Sequence, residues 1–223
     1  MAPGVELIGL TVDYGRTRAL SGVHFHAPSG SVVAVFGENG AGKSTLLWAI
    51  SGLVEPSAGT IRRSVGASGA PRRPARIGFL SHQTFLYEDL TARENLELSG
   101  RLWGLPDPAA AVSDLLSRLG LDSTGPRRIS ELSRGQTQRV AFARAILPAP
   151  DILLLDEPFS HLDEDGVRRA TDLLAAYRSA DRIIFLATHD RPRAQRLATC
   201  VIELTAGQMT EPGGRGEADD GRV

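Results

Sequence analysis

The stretch that most constrains the fold is an apolar run that stops in glycine. SVVAVF at residues 31–36 leads directly into Gly37-Glu38-Asn39-Gly40-Ala41-Gly42-Lys43-Ser44. The run has the unbroken hydrophobicity of a strand buried on both faces, and residues 43–52 read as a helix. The glycine turn therefore lies between a buried strand and a helix N-terminus, the context that the spacing G-x-x-x-x-G-K-[ST] demands. Its glycines let the backbone wrap close to phosphate oxygens, so that N–H groups and the helix N-terminus face an anion. Lys43 can reach β- and γ-phosphates, and the Ser44 hydroxyl can ligate Mg²⁺. The expected nucleotide contacts run from Gly37 to Thr45. Lys43 is the single lysine among 25 basic residues, which makes its place in the turn informative.

Composition narrows the class by exclusion. A chain of 223 residues, 42% hydrophobic, with 25 Lys+Arg against 26 Asp+Glu, has enough apolar material for a core and too little net charge for a disordered polyelectrolyte or a histone-like DNA binder. No run approaches the ~18 apolar residues of a membrane span, and MAPGVELIGL lacks the basic start and apolar core of a secretory signal. A soluble, cytoplasmic chain is expected. The lone Cys200 excludes an intramolecular disulfide and a thiolate metal cluster.

Along the chain, VELIGLTVDY and ALSGVHFHAPSG read as strands separated by the turn YGRTR. Residues 59–76 carry Arg62, Arg63, Arg72, Arg73 and Arg76 with no acid, broken by Gly66, Gly69, Pro71 and Pro74. An exposed loop or irregular hairpin is expected there, on a solvated edge and without a role in nucleic-acid binding. RIGFLSHQ returns to strand, and from about 86 to 131 the pattern is helical. Asp107 as N-cap and Pro108 at the first helical position open a segment with Val112, Leu115, Leu116 and Leu119 at helical spacing before Gly120. A helix at 135–147, the strand DILLLDEP, a helix near 164–179, the strand RIIFLAT, a short helix and the strand CVIEL follow. Strands alternating with helices imply an α/β fold with a mainly parallel sheet covered on both faces. Residues 212–223 are expected to be a disordered tail after a domain spanning 1–211.

Two further motifs carry chemistry. ILLLDE at 152–157 is an apolar strand ending in two carboxylates, and in open α/β sheets ligands sit at the carboxyl ends of strands. Asp156 is suited to hold Mg²⁺. Glu157, pointing the other way, could polarise a water in line with the γ-phosphate. Leu132-Ser133-Arg134-Gly135-Gln136 opens a helix with Ser133 as N-cap.

The full order is phosphate loop, Gln83 at a strand end, LSRGQ, LLLDEP, SHLD, then Thr188-His189-Asp190. This order resembles the ATP-binding subunit of ABC transporters over about residues 5–210. The resemblance implies a phosphate-loop core, an N-terminal antiparallel sheet and an inserted helical subdomain at about 86–135 that presents LSRGQ. By the same resemblance, Tyr14 stacks on adenine, and Gln83 contacts Mg²⁺ and water while sensing the membrane partner. Ser133, Gly135 and Gln136 would meet ATP held by another subunit in a head-to-tail homodimer. Asp163 belongs to the loop coupling the two sites, and His189 touches the γ-phosphate opposite Glu157. The third signature position is more usually glycine, where this chain has Arg134.

With no span of its own, such a chain works through transmembrane permease subunits, peripherally at the cytoplasmic face of the membrane. LSHQTFLYEDLTARENLELS, EPFSHLD and the compact length look like the ATPase of the haem exporter of cytochrome c biogenesis. Thr84 to Glu94, with Phe85, Leu86, Tyr87 and Leu90, is the expected partner contact. Other small-substrate exporters are the alternative. A DNA-repair ATPase would place a long coiled coil where only residues 84–131 intervene, and a translation ATPase usually carries two cassettes.

Overall fold

The computed structural model describes residues 3–64 and 74–210. β1 (Gly4–Tyr14) and β2 (Thr17–Pro28) pair antiparallel around the turn at Gly15. β4 (Ala58–Ser64) pairs with the other edge of β1, giving a three-stranded antiparallel sheet in the order β2-β1-β4. The second sheet has six strands in the order β5-β6-β7-β3-β8-β9. These are β3 (Val32–Phe36), β5 (Ile77–Leu80), β6 (Ile152–Asp156), β7 (Ile183–Ala187), β8 (Cys200–Thr205) and β9 (Gln208–Thr210). All its pairings are parallel except β8 with β9.

The reason β3, β6 and β7 lack polar alternation is that both of their faces are covered. Val32, Ala34 and Phe36 face a core shared with α2 (Ala92–Leu102), α3 (Pro108–Arg118), α4 (Arg134–Ile146) and α5 (Glu164–Tyr177). Val33 and Val35 face a second core shared with α1 (Lys43–Ser51) and the antiparallel sheet. α6 (Arg191–Leu197) links β7 to β8. Asp107 caps α3 with Pro108 at its start, and Val112, Leu115, Leu116 and Leu119 are all buried, as their spacing requires.

The expectation of an exposed loop or irregular hairpin at 59–76 is corrected in its first part. Residues 58–64 are β4, with Arg62 bonded to Glu6 across the sheet. Arg63 donates to the carbonyls of Ile50 (2.6 Å) and Ala49 (2.9 Å), satisfying the C-terminus of α1. A run of arginines without acids reads as solvated in sequence; here one guanidinium finds carbonyls instead. Arg72, Arg73 and the tail at 212–223 lie outside the described residues. No helix among the described residues is long and apolar enough to cross a membrane.

Candidate active site

The carboxyl ends of β3, β5, β6 and β7 bring the candidate residues to one edge of the parallel sheet, where ligands of such folds sit. α1 begins at Lys43 behind Gly42, a left-handed residue (φ 103°), and no side chain caps it. Its first N–H groups are therefore left for an anion. A Cβ on Gly42 would lie 2.6 Å from the Ala19 carbonyl oxygen, so glycine is what lets the loop lie against β2. Lys43 is buried, and its Nζ donates to the carbonyls of Gly37 (2.8 Å) and Glu38 (3.0 Å).

Asp156 ends β6 and is 5% exposed. Burial pushes its carboxyl up; a hydrogen bond from Ser44 opposes that rise, neighbouring Glu157 adds to it, and Lys43 and His82 oppose it. A hydroxyl bonded to a desolvated carboxylate is a hard-oxygen pair of the kind Mg²⁺ takes, and a dication there would relieve the buried charge. Ser44 and Asp156 thus fit the ion. Among the described residues no three His, Cys, Asp or Glu groups cluster to hold a metal, so substrate phosphates and water would have to complete its shell.

Glu157 has φ 48°, left-handed without being glycine. Its N–H donates to the Ala187 carbonyl (2.8 Å). Its carboxylate Oε2 accepts from the Thr188 hydroxyl (3.0 Å) and lies 3.0 Å from His189 Nδ1, while Oε1 accepts from the His189 N–H (3.1 Å). The His189 ring is otherwise open to solvent, with its side chain 80% exposed.

Lys43, Ser44, Thr45, Asn39, Gly40, Gly42, Asp156 and Glu157 line one cleft of about 250 Å³, with Ala19 and His82. Gly37, Glu38 and Ala41 line an adjoining cleft that reaches His189. Gln83 lines neither and is exposed at the third position beyond β5, while the neighbouring His82 lines the cleft with Asp156. Tyr14 ends β1, 44% exposed and outside both clefts.

The signature residues form a separate surface. Ser133 caps α4, accepting from the Gln136 N–H (3.2 Å), while Gln136 Oε1 accepts from the Ser133 N–H (3.0 Å). Gln136 is thus occupied in a capping box. Asp163 caps α5 through the Gly166 N–H (2.8 Å). Ser133, Arg134, Gly135, Arg139, His161, Leu162 and Asp163 line this cleft, and none of them lines the phosphate cleft. A Cβ on Gly135 would lie 2.6 Å from the His161 carbonyl oxygen, so the two loops touch through glycine. Sequence reasoning missed His82, Thr188 as a partner of Glu157, and Gln138, whose Nε2 donates to the Glu157 carbonyl. Only Thr188 carried a signal, its place beside His189.

Comparison with known proteins gives the same picture. Residues 20–160 match the family described as ABC transporter. The chain is 38% identical to a Fe(3+) ions import ATP-binding protein of Rhodococcus jostii, over 96% of this chain and 63% of that one. It is 36% identical to the Nod factor export ATP-binding protein I of Paraburkholderia xenovorans, over 89% of this chain and 67% of that one. A solved dimeric ATP-binding cassette in a post-hydrolysis state, with ADP and Pi bound, superposes with a TM-score of 0.81 at 27% identity, covering 93% of this chain and 97% of the other. The chain spans 63% of the length of the first of these relatives. The matched residues, the two-sheet architecture and the order of motifs agree: the chain belongs to the ABC transporter family and has the fold of its ATP-binding cassettes.

Proposed function

We propose that this chain hydrolyses ATP to power an ABC transporter through separate membrane subunits. The observation that carries the reading is the separation of two clefts on one chain. Lys43, Ser44, Asp156 and Glu157 line the first, and Ser133, Gly135 and Asp163 line the second. A head-to-tail homodimer would bring the first cleft of one copy against the second cleft of the other, each completing a site that neither copy completes alone.

In this scheme Lys43 leaves the Gly37 and Glu38 carbonyls for the β- and γ-phosphate oxygens, and the uncapped α1 N-terminus faces the same anions. Ser44 and Asp156 would hold Mg²⁺, which would supply neutralisation of phosphate charge when bound. Gln83, once the copies close, would swing from its exposed position toward this ion and the water. Glu157 accepts a proton from a water as its oxygen bonds to the γ-phosphorus, and the bond from that phosphorus to the bridging oxygen breaks to release ADP. His189 leaves the Glu157 carboxylate to contact the γ-phosphate. Tyr14 offers an exposed ring for adenine.

Phe85 and Tyr87, 54% and 62% exposed beside the loop that holds Gln83, support a permease contact there, with the chain peripheral at the cytoplasmic face. Nucleic acid has no part in the scheme. The cargo reading is export of haem for cytochrome c biogenesis, supported by the likeness of residues 80–99 and of EPFSHLD to that exporter's ATPase. Relatives named for ferric ion import and for Nod factor export match at 38% and 36% identity, because the cassette chemistry is shared and cargo contacts lie on other chains. Identifying the membrane proteins that co-purify with the chain tests that reading.

Hydrolysis and dimerisation are tested together with Glu157→Gln. Phosphate release should fall by ~10²–10⁴ while ATP still binds. Sizing chromatography with ATP and Mg²⁺ should then show a dimer; a variant that stays monomeric counts against the two-copy site.

A further inference from the structure

Gln138 has no part in the scheme above, yet its buried amide is aimed at the residue that scheme depends on most. It lies in the second turn of α4 and donates through Nε2 to the main-chain carbonyl of Glu157 at 3.2 Å. That carbonyl does not need the bond for its own satisfaction. The Ser160 hydroxyl (2.8 Å) and the Ser160 N–H (3.1 Å) already donate to it, one for each lone pair. What the third donor adds is a tether to another element.

A tether matters here because of the backbone of Glu157. A left-handed φ is costly for a residue with a Cβ and persists where its surroundings over-determine it. Ala187 fixes the N–H from β7, Thr188 and His189 fix the carboxylate from the end of the same strand, and Ser160 acts from the loop after β6. Gln138 is the member of this set that comes from α4, the helix whose first turn carries Ser133 and Gly135.

We infer that Gln138 is a positioning residue for hydrolysis: it holds the Glu157 peptide in the conformation that aims the carboxylate into the phosphate cleft, and it ties that aim to the seating of α4. The inference rests on Glu157 acting as the base proposed above. It requires the chemical step to depend on Gln138 while nucleotide affinity does not, since Gln138 lines neither the phosphate cleft nor the signature cleft.

Gln138→Met and Gln138→Glu keep the length of the side chain and remove its N–H donor at neutral pH. In both, kcat for phosphate release should fall about 10- to 100-fold, the scale of a small misplacement of a reacting group. The Kd for ATP should stay within about twofold, and circular dichroism should report a folded chain with a thermal midpoint near that of the parent. The decisive measurement is single-turnover hydrolysis in a Glu157→Gln background. There, adding Gln138→Met should cost nothing further, because the residue acts through the carboxylate already removed. Wild-type kcat in a folded variant, a loss in kcat matched by an equal loss of ATP affinity, or an undiminished loss in the Glu157→Gln background each overturns the inference. Gln138→Glu serves the same comparison if Gln138→Met does not fold. A parent chain that releases no phosphate overturns the proposed hydrolysis and this inference with it; a parent that turns over beside equally active Gln138 variants overturns the inference alone.

Discussion

Two helices of this molecule begin at glycine-containing motifs, and they treat their free N–H groups in opposite ways. α1 has no side-chain cap, and the cation at its start, Lys43, is buried against carbonyls of its own loop. α4 has a complete capping box from Ser133 and Gln136, and its first residues, Ser133 and Arg134, are exposed. The uncapped turn keeps its donors for a ligand and sits beside a desolvated carboxylate. The capped turn is finished as local structure and still has the Ser133 O–H proton to give, since that hydroxyl is an acceptor in the cap. In the proposed scheme, two helix starts that look alike as glycine motifs divide the work, one as a charge-binding pocket and the other as a preformed face for a second copy.

The largest effect expected from this division is at Lys43. Lys43→Ala removes a charge-assisted contact to phosphate and should weaken ATP binding by about 10- to 100-fold, measured by fluorescent nucleotide titration. Gly135→Ala should do something different. Its Cβ would come within 2.6 Å of the His161 carbonyl oxygen, so the signature turn or the 160–163 loop must move, at a cost of about 1–3 kcal/mol. ATP affinity of the isolated chain should survive, while ATP-driven dimerisation and turnover fall. Loss of ATP affinity in Gly135→Ala would break the division between the two turns.

A smaller and purely structural effect belongs to Ser133. Ser133→Ala removes the cap and should cost about 1 kcal/mol, lowering the thermal midpoint by roughly 2–4 °C in a chain of this size. An unchanged midpoint would mean that the capping box contributes no stability and that Ser133 is available wholly to a ligand.

The phosphate turn could be read from sequence because its chemistry fixes residue types at fixed spacing between a buried strand and a helix. The same holds for β3, β6 and β7, whose unbroken apolar runs follow from burial on both faces, and for α3, whose start is written in Asp107-Pro108. Features made by distant partners were not legible. Arg63 looked solvated until α1 supplied the carbonyls of Ala49 and Ile50. β9 is three residues long and exists because β8 offers an edge. Gln138 acts on Glu157 across 19 positions of sequence, which no local pattern encodes. At 82–83 the sequence pattern does not say which of two adjacent side chains beyond β5 lines the cleft with Asp156, and in this structure His82 does.

The subtlest test of the comparison is the pH dependence of Asp156, because α4 has no counterpart to a buried carboxylate beside its first turn. Burial raises the folded-state pKa of Asp156 above that of the unfolded chain, so folding binds a proton more readily than unfolding does. The sign follows directly. Below the ordinary carboxylate range both states are protonated and the site costs nothing. As pH climbs through that range and past the raised folded value, the unfolded chain ionises first and the folded state is penalised, with the full penalty above the folded value. Asp156→Asn cannot ionise and can still accept from Ser44, so the nucleotide-free variant should be slightly more stable than the parent at neutral pH, and the difference should shrink as pH falls toward 4. Thermal melts across pH, with and without Mg²⁺ and ATP, check this. Ligand should reverse the order at neutral pH, stabilising the parent more than the variant, because the charge that penalises the nucleotide-free fold is the one that would hold the ion in the proposed scheme. Equal melting of parent and variant at every pH, with ligand present, would mean that Asp156 is an ordinary strand-end carboxylate and that the phosphate turn holds its anion without it.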